Sequence, residues 1–262
     1  MFEFHADRKR YFDIQRDNTV RFVIPFIERG FTILPGQRVL EIGCGEAGVL
    51  FAFLERGCTG VGVEFDATRL VHAAQWTKDY VEAGKVKYID KDIYKVEVEE
   101  LGGKFDIIIL KDVIEHIHDQ PKLIAEMKRL LTPNGVIFFG FPPWQMPFGG
   151  HQQICKNKWL SKLPWYHLLP RGIYRYLLTR KNENVEEMME IRDTQITIER
   201  FEKIVRQTGY RISAVTHYLI NPIYEYKFGW KPRQQFAIIR HIPWVRNFVT
   251  TCVYYLITPE QK

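Results

Sequence analysis

The sequence predicts an α/β fold, a parallel sheet covered by helices, and three observations predict it. Short β-rich runs alternate with longer helical patterns between Arg38 and Phe141. The strand-like run Val39-Leu40-Glu41-Ile42 passes into the glycine-rich turn Gly43-Cys44-Gly45-Glu46-Ala47-Gly48, then into an apolar helical stretch carrying Val49, Leu50, Phe53 and Leu54. The composition is that of ordinary globular chemistry: 262 residues, 46% hydrophobic and 26% charged, without repeats or low-complexity tracts. Disordered, collagenous and fibrous chains are thereby excluded.

Taken in order, the segment from Ile14 to Glu28 reads as a helix as far as Pro25, packed on the first unit of the sheet. Strands are expected at Arg38 to Ile42, Gly60 to Glu64, Val86 to Ile89, Phe105 to Leu110 and Val136 to Phe141. Before the fifth strand, Leu123, Ile124, Met127, Leu130 and Leu131 follow helical spacing, and Pro133-Asn134-Gly135 turns the chain. The rhythm then breaks: residues 142 to 182 hold five prolines and seven aromatics without a clean period. A cap inserted over residues 142–196 is the expected result. Order returns with Ile198, Phe201, Ile204 and Val205 on one helical face, Gly209 as the cap and a strand from Arg211 to Ile220. A second insertion, 221–250, precedes a last strand from Cys252 to Thr258. The whole chain, 1–262, reads as a single domain.

Charge and cysteine usage bound the partners. With 37 Lys and Arg against 31 Asp and Glu the net charge is +6, too mild to demand nucleic acid. Cys44, Cys58, Cys155 and Cys252 show neither metal-ligand nor pairing spacing, so a reducing compartment is expected. The first thirteen residues lack the apolar run of a signal peptide, which points to the cytoplasm. No transmembrane segment is expected: the apolar stretch Phe236 to Ile257 carries Arg240, His241, Pro243 and Arg246 near its middle.

The turn after the first strand matches GxGxxG, and Glu64 lies where a dinucleotide-binding fold places its ribose-binding acid. The string alone fits two cofactors. Glu41 and Glu46 would repel a pyrophosphate, whereas S-adenosylmethionine presents an ammonium and a sulfonium, so charge favours the methyl donor. Glu64 accepts ribose hydroxyls in either case, and Asp92 is placed to accept from an adenine amino group.

VLEIGCG (39–45), GVEFD (62–66), the pair Asp92-Ile93, FDIIILKDVIEHIHD (105–119) and LLTPNGVIFFGFPP (130–143), in this order, resemble the class I S-adenosylmethionine-dependent methyltransferases over roughly residues 36–143. Ala47 stands where that family often has a third glycine. The resemblance implies a Rossmann-like seven-stranded mixed sheet with its last strand antiparallel and helices on both faces. It also implies cofactor roles: Gly43, Cys44 and Gly45 under the methionine part, Glu41 near its amino end, Glu64 and Phe65 at the ribose, Asp92 and Ile93 around adenine, and Lys111 and Asp112 at the reactive side.

Methyl transfer from a sulfonium needs alignment and exclusion of water more than a catalytic side chain. For a hydroxyl acceptor a base helps, and His116 and His151 are the candidates. His116 and His118 alone do not make a metal site, and no metal is expected. Both insertions leave from carboxyl ends of strands, where ligands bind in such sheets. Residues 142–182 and 226–259 carry seven and five cations with no acid, together with five of the six tryptophans. Trp144, Trp159, Trp165 and His151 are thus expected at the acceptor. That acceptor is expected to be a small or lipid-like molecule, anionic or membrane-presented, methylated on oxygen. An RNA methyltransferase and a non-catalytic cofactor-binding scaffold are the alternatives.

Overall fold

In a computed structural model, residues 7–260 are described, so the signal-peptide reading rests in part on residues outside them. The strands are β1 (Arg38–Ile42), β2 (Thr59–Glu64), β3 (Val86–Asp90), β4 (Phe105–Lys111), β5 (Leu131–Phe141), β6 (Tyr210–Ile220), β7 (Arg233–Gln234) and β8 (Cys252–Pro259). They form one sheet in the spatial order β3-β2-β1-β4-β5-β8-β6-β7. The pairs among β1 to β5 are parallel, and β8 runs antiparallel to both β5 and β6.

The seven expected strands are all present, and an eighth joins them. Arg233 and Gln234, inside the second insertion, pair with Ile220 and Tyr218 on the outer edge of β6. Two-residue edge strands leave no pattern of alternation to read, and they cover an edge that would otherwise offer open hydrogen-bonding groups. β5 also begins earlier than expected. Leu131 opposes Phe105 and Val136 opposes Ile107, so Thr132 to Gly135 bulge out between two paired positions.

Alternation explains why both faces of the sheet are covered. Leu40, Ile42, Ile108 and Leu110 face one core with Leu123, Ile124 and Met127 of the helix Gln120–Met127 and Phe201 and Ile204 of the helix Ile198–Gln207. Val39, Ile107 and Ile109 face the other core with Val49, Leu50 and Phe53 of the helix Gly48–Leu54 and Ile24, Phe26 and Ile27 of the N-terminal segment. Each such buried side chain contributes roughly 1.5–3 kcal/mol, so neither face could stay bare.

The N-terminal helix passes through Pro25 rather than ending there. Helix Arg8–Asn18 widens into a π-helical turn at Thr19–Val23 and resumes over Ile24–Ile27. The wider turn, closed by the Ile24 amide on the Thr19 carbonyl, immediately precedes Pro25, whose nitrogen has no hydrogen to donate.

The first insertion has a small core of its own, formed by Cys155, Leu160, Tyr166, Tyr174, Leu178, Met188 and Met189. Its helices Arg171–Arg180 and Val185–Thr194 bring Glu183, Glu186, Glu187, Glu190 and Asp193 back over it. Glu183 accepts from the backbone of Lys156 and Asn157, and Asp193 pairs with Arg171. The cap is therefore less basic than its first forty residues imply. The described residues contain no helix long and apolar enough to cross a membrane, and all four cysteines are buried and unpaired.

Candidate active site

Strand order reverses between β1 and β4, and the cleft opens at their carboxyl ends, as expected for an open α/β sheet. It measures about 160 Å³, and its lining includes Glu41, Gly43, Cys44, Lys111 and Asp112. The N-terminal helix supplies the remaining wall through Tyr11, Phe12 and Gln15.

The turn after β1 is built by left-handed backbone. Gly43 and Gly45 have φ of 69° and 53°, and Ala47 follows at 65°. At Gly43 a Cβ would lie 2.6 Å from Val113 Cγ2. Ala47 thus takes the conformation a glycine would hold more cheaply, which removes the force of that departure from the family pattern. The amides of Gly43 and Cys44 both donate to the Val63 carbonyl, at 2.8 and 3.1 Å, tying the turn to β2.

Two carboxylates organise this cradle. Glu64 accepts from the amides of Gly45, Phe65 and Asp66 at 3.0 to 3.1 Å. Glu41 accepts from the Leu50 amide at 2.9 Å and so caps the helix Gly48–Leu54 from the neighbouring strand. Burial pushes the Glu41 carboxyl up to about 8. Arg69 closes on Glu46 at 2.9 Å and lies 3.8 Å from Glu64, with Arg8 also near Glu46.

These contacts change the charge that the turn presents to a dinucleotide. Glu46 is neutralised by arginines and Glu41 holds its proton near neutral pH, so neither repels a phosphate as a bare acid would. Glu64 takes over that role: its carboxylate occupies the Gly45 amide that a pyrophosphate would need.

At the end of β4, Lys111 is buried between Asp112 at 2.7 Å and Gln15 at 3.0 Å. Burial opposes the charge on Asp112, but Lys111 beside it prevails and holds the carboxyl below its ordinary value. The Asp112 backbone is itself left-handed, at φ 57°, fixed by its amide on the Gly140 carbonyl at 2.7 Å. Asp92 caps the turn Ile93–Lys95 by accepting from Tyr94, while Phe65 is 80% exposed. Asp92, Ile93, Glu64 and Phe65 therefore stand beyond the cleft, along the carboxyl ends of β2 and β3.

Beside Asp112 the two candidate histidines meet. His116 and His151 have ring centroids 4.9 Å apart, at 69°. Burial, then the neighbouring His116, lowers His151 to about 3, and burial also lowers His116 against the opposing pull of Asp112. His151 sits in a left-handed turn after Gly149 and Gly150, braced by the buried His167, which bonds Gln152 at 2.7 Å and the Trp144 carbonyl at 2.8 Å.

The three tryptophans of the first insertion lie in different settings. Trp144 is 7% exposed and packs edge-on against His167, so it belongs to the interior of the cap. Trp159 is 87% exposed, and Trp165 ties its indole N–H to the Gln145 carbonyl on the surface. None of the three lines the cleft. One is interior and two are on an outer surface, a distinction that sequence spacing in an irregular segment does not carry.

Several residues at the site left little sequence signal. Tyr11 and Gln15 arrive from a helix remote in sequence, and Gly48 permits that approach because a Cβ there would meet the Phe12 carbonyl. Lys227, from the helix Ile223–Phe228 in the second insertion, feels the Asp112 carboxylate. Burial brings its ammonium down to about 8.

Comparison with known proteins agrees with this architecture. The methyltransferase-domain family profile matches residues 12–192. An uncharacterized methyltransferase of Mycobacterium sp. (strain KMS) is 32% identical over 151 residues, covering 56% of each chain. A ubiquinone biosynthesis O-methyltransferase of Pasteurella multocida is 27% identical over 161 residues, 55% of this chain and 59% of that one. The chain thus spans a little over half the length of these curated relatives. Among solved structures, an S-adenosylmethionine-dependent methyltransferase from Clostridium acetobutylicum superposes with a TM-score of 0.56 at 12% identity, covering 94% of this chain and 92% of that one. Magnesium protoporphyrin IX methyltransferase from Synechocystis PCC 6803, with bound SAH, gives 0.53 at 14% identity, covering 94% and 86%. The cradle of Gly43 and Gly45, the acid at the end of β2 and the walls around Lys111 and Asp112 fit such a cofactor. The chain belongs to the methyltransferase-domain family, as a class I member whose cofactor is S-adenosylmethionine.

Proposed function

We propose that this chain transfers a methyl group to an oxygen of a small-molecule or lipid-like acceptor. The observation that carries the reading is the juxtaposition of His116 and His151, 4.9 Å apart, with Asp112 at the wall of the cofactor cleft. The name of the Pasteurella relative, an O-methyltransferase, supports oxygen as the acceptor atom.

When bound, S-adenosylmethionine supplies an electrophilic methyl on a positively charged sulfur. The chain's own part is placement. Glu64, held by three backbone amides, offers its carboxylate edge to ribose hydroxyls. Asp112 lies where the amino end of the methionine part would be neutralised, with the protonated Glu41 nearby as a hydrogen-bonding neighbour, and Gly43 leaves the backbone bare beneath it. His116 and His151 accept from an acceptor hydroxyl and aim its oxygen. Orientation of this kind supplies much of what a displacement with a good leaving group requires.

The cap also sets the class of acceptor. Lys156, Lys158 and Lys162 are exposed beside Trp159 and Trp165, and Trp230 and Trp244 are exposed in the second insertion. Cations among exposed aromatics suit an amphiphile with an anionic group, or one presented at an anionic membrane surface facing the cytoplasm.

Calorimetry with S-adenosylhomocysteine and with NAD, followed by methyl transfer to a panel of hydroxylated amphiphiles, tests the reading. Binding of the first ligand and turnover on a hydroxyl acceptor are expected. Preference for NAD would overturn the reading, and turnover confined to RNA would replace the acceptor.

A further inference from the structure

We propose that Glu115, His116 and His151 form a binding site for a single divalent cation of the zinc class, with an open position for the acceptor's oxygen. The three side chains present one ligand atom each, all within 4.8 Å of one another. A zinc ion with bonds near 2 Å needs its ligand atoms roughly 3 to 3.5 Å apart, so closure requires a shift of about 1 Å. The His116 and His151 rings already pack edge to face with centroids 4.9 Å apart, so a small rotation of the His116 side chain is the movement required.

The independent observation is the state of Glu115. Its side chain is buried, and Oε2 has no hydrogen-bond partner. A buried carboxyl oxygen without a partner costs free energy unless something outside the protein satisfies it. The backbone around it is held firmly. The Thr194 hydroxyl donates to the Glu115 carbonyl, and the Gln120 amide donates to the carbonyls of Ile114 and Thr194 at 3.2 and 3.3 Å. The cap helix Val185–Thr194 thus locks the turn Ile114–His116 while leaving the acid's head unsatisfied.

Two imidazoles and one carboxylate, with no thiolate among them, form a donor set suited to zinc and its divalent neighbours. Three protein ligands leave at least one position open. Asp112, kept ionised by Lys111, adds negative potential beside the site. His118 takes no part; it turns away to Glu190, at 3.4 Å.

With the ion bound, the two imidazoles serve as its ligands rather than as acceptors for the hydroxyl, which at the open position would release its proton to solvent at a much lower pH than when free, its oxygen staying on the ion. This consequence for the acceptor rests on the methyl-transfer reading above, whereas cation binding itself does not.

The test uses the full chain stripped with a chelator and dialysed against zinc chloride, with bound metal measured by mass spectrometry and affinity by competition with a chromogenic chelator. One zinc per chain is expected, with affinity reduced at least tenfold in each of Glu115→Gln, His116→Ala and His151→Ala and unchanged in His118→Ala. Failure of the wild-type chain to take up zinc, or full affinity in any of the three variants, overturns the site. Should a variant fold poorly, the cobalt(II) absorption spectrum of the unaltered chain decides. Weak d–d bands from nitrogen and oxygen ligands are expected, and an intense sulfur charge-transfer band would place the ion on a cysteine instead. S-adenosylhomocysteine calorimetry on the stripped chain separates the two failures: binding without zinc uptake leaves the methyl-transfer reading standing, and zinc uptake without cofactor binding does the reverse.

Discussion

The turn after β1 and the two insertions treat charge and apolar surface in opposite ways. At the turn, Glu64 is occupied by three amides, Glu46 by arginines, Glu41 by a helix N-terminus and Lys111 by Asp112 and Gln15. In the two insertions apolar side chains stand in water. Among the described residues, 14 of the 19 exposed large hydrophobics fall within 142–196 and 221–250, including Ile238 at 73% and Trp244 at 63%. A pocket that receives the same cofactor in every turnover gains from being preorganised. Exposed apolar surface of this extent belongs instead to regions that meet something else.

The largest expected effect lies at the buried end. Glu41 is raised to about 8, chiefly by burial, from the ordinary 4.5 of a glutamate. Because the folded state holds a proton that the unfolded chain releases, the stabilisation is complete below pH 4.5 and is lost as pH rises through about 8. The total is on the order of 4 kcal/mol. Glu41→Gln keeps an acceptor for the Leu50 amide and removes the titration. Urea unfolding at intervals from pH 5 to pH 8 should therefore show the variant gaining on the wild type as pH rises. Parallel curves would mean that the acid is ionised throughout, restoring its repulsion of a pyrophosphate.

Next comes the cradle itself. Gly43→Ala places a methyl group 2.6 Å from Val113 Cγ2 on left-handed backbone, under the expected position of the cofactor's methionine part. Calorimetry should show S-adenosylhomocysteine affinity falling on the order of 100-fold, about 2.7 kcal/mol. Unchanged affinity would move the cofactor off this turn.

The same contrast decides what the sequence could reveal. The strands from Arg38 to Phe141 were legible because alternation and glycine placement are local, and both recur in the structure within a few residues. Gly43, Gly45 and Glu64 were legible for the same reason. Tyr11 and Gln15 were not, because they reach the cleft from a remote helix, and Lys227 was not, because it approaches Asp112 from an insertion. Residues 142–182 read as strongly basic only because the acids that answer them, Glu183 and Asp193, lie just past that window. The pairing of His116 with His151 and Glu115 depends on a left-handed turn after two glycines, which no periodicity announces.

The smallest effect tests the cap. Lys156, Lys158 and Lys162 are exposed, so each contributes little to stability and their joint replacement by alanine should leave the melting temperature and cofactor affinity nearly unchanged. If the cap receives an anionic acceptor, KM for that acceptor should rise on the order of tenfold, about 1.4 kcal/mol, with kcat held. Salt supplies the second axis. Exposed charges are screened over about 8 Å at physiological ionic strength, so the wild-type KM should climb with added salt toward that of the variant. A KM that moves with neither lysines nor salt would leave the exposed aromatics, not the cations, as the part of the cap that meets the acceptor.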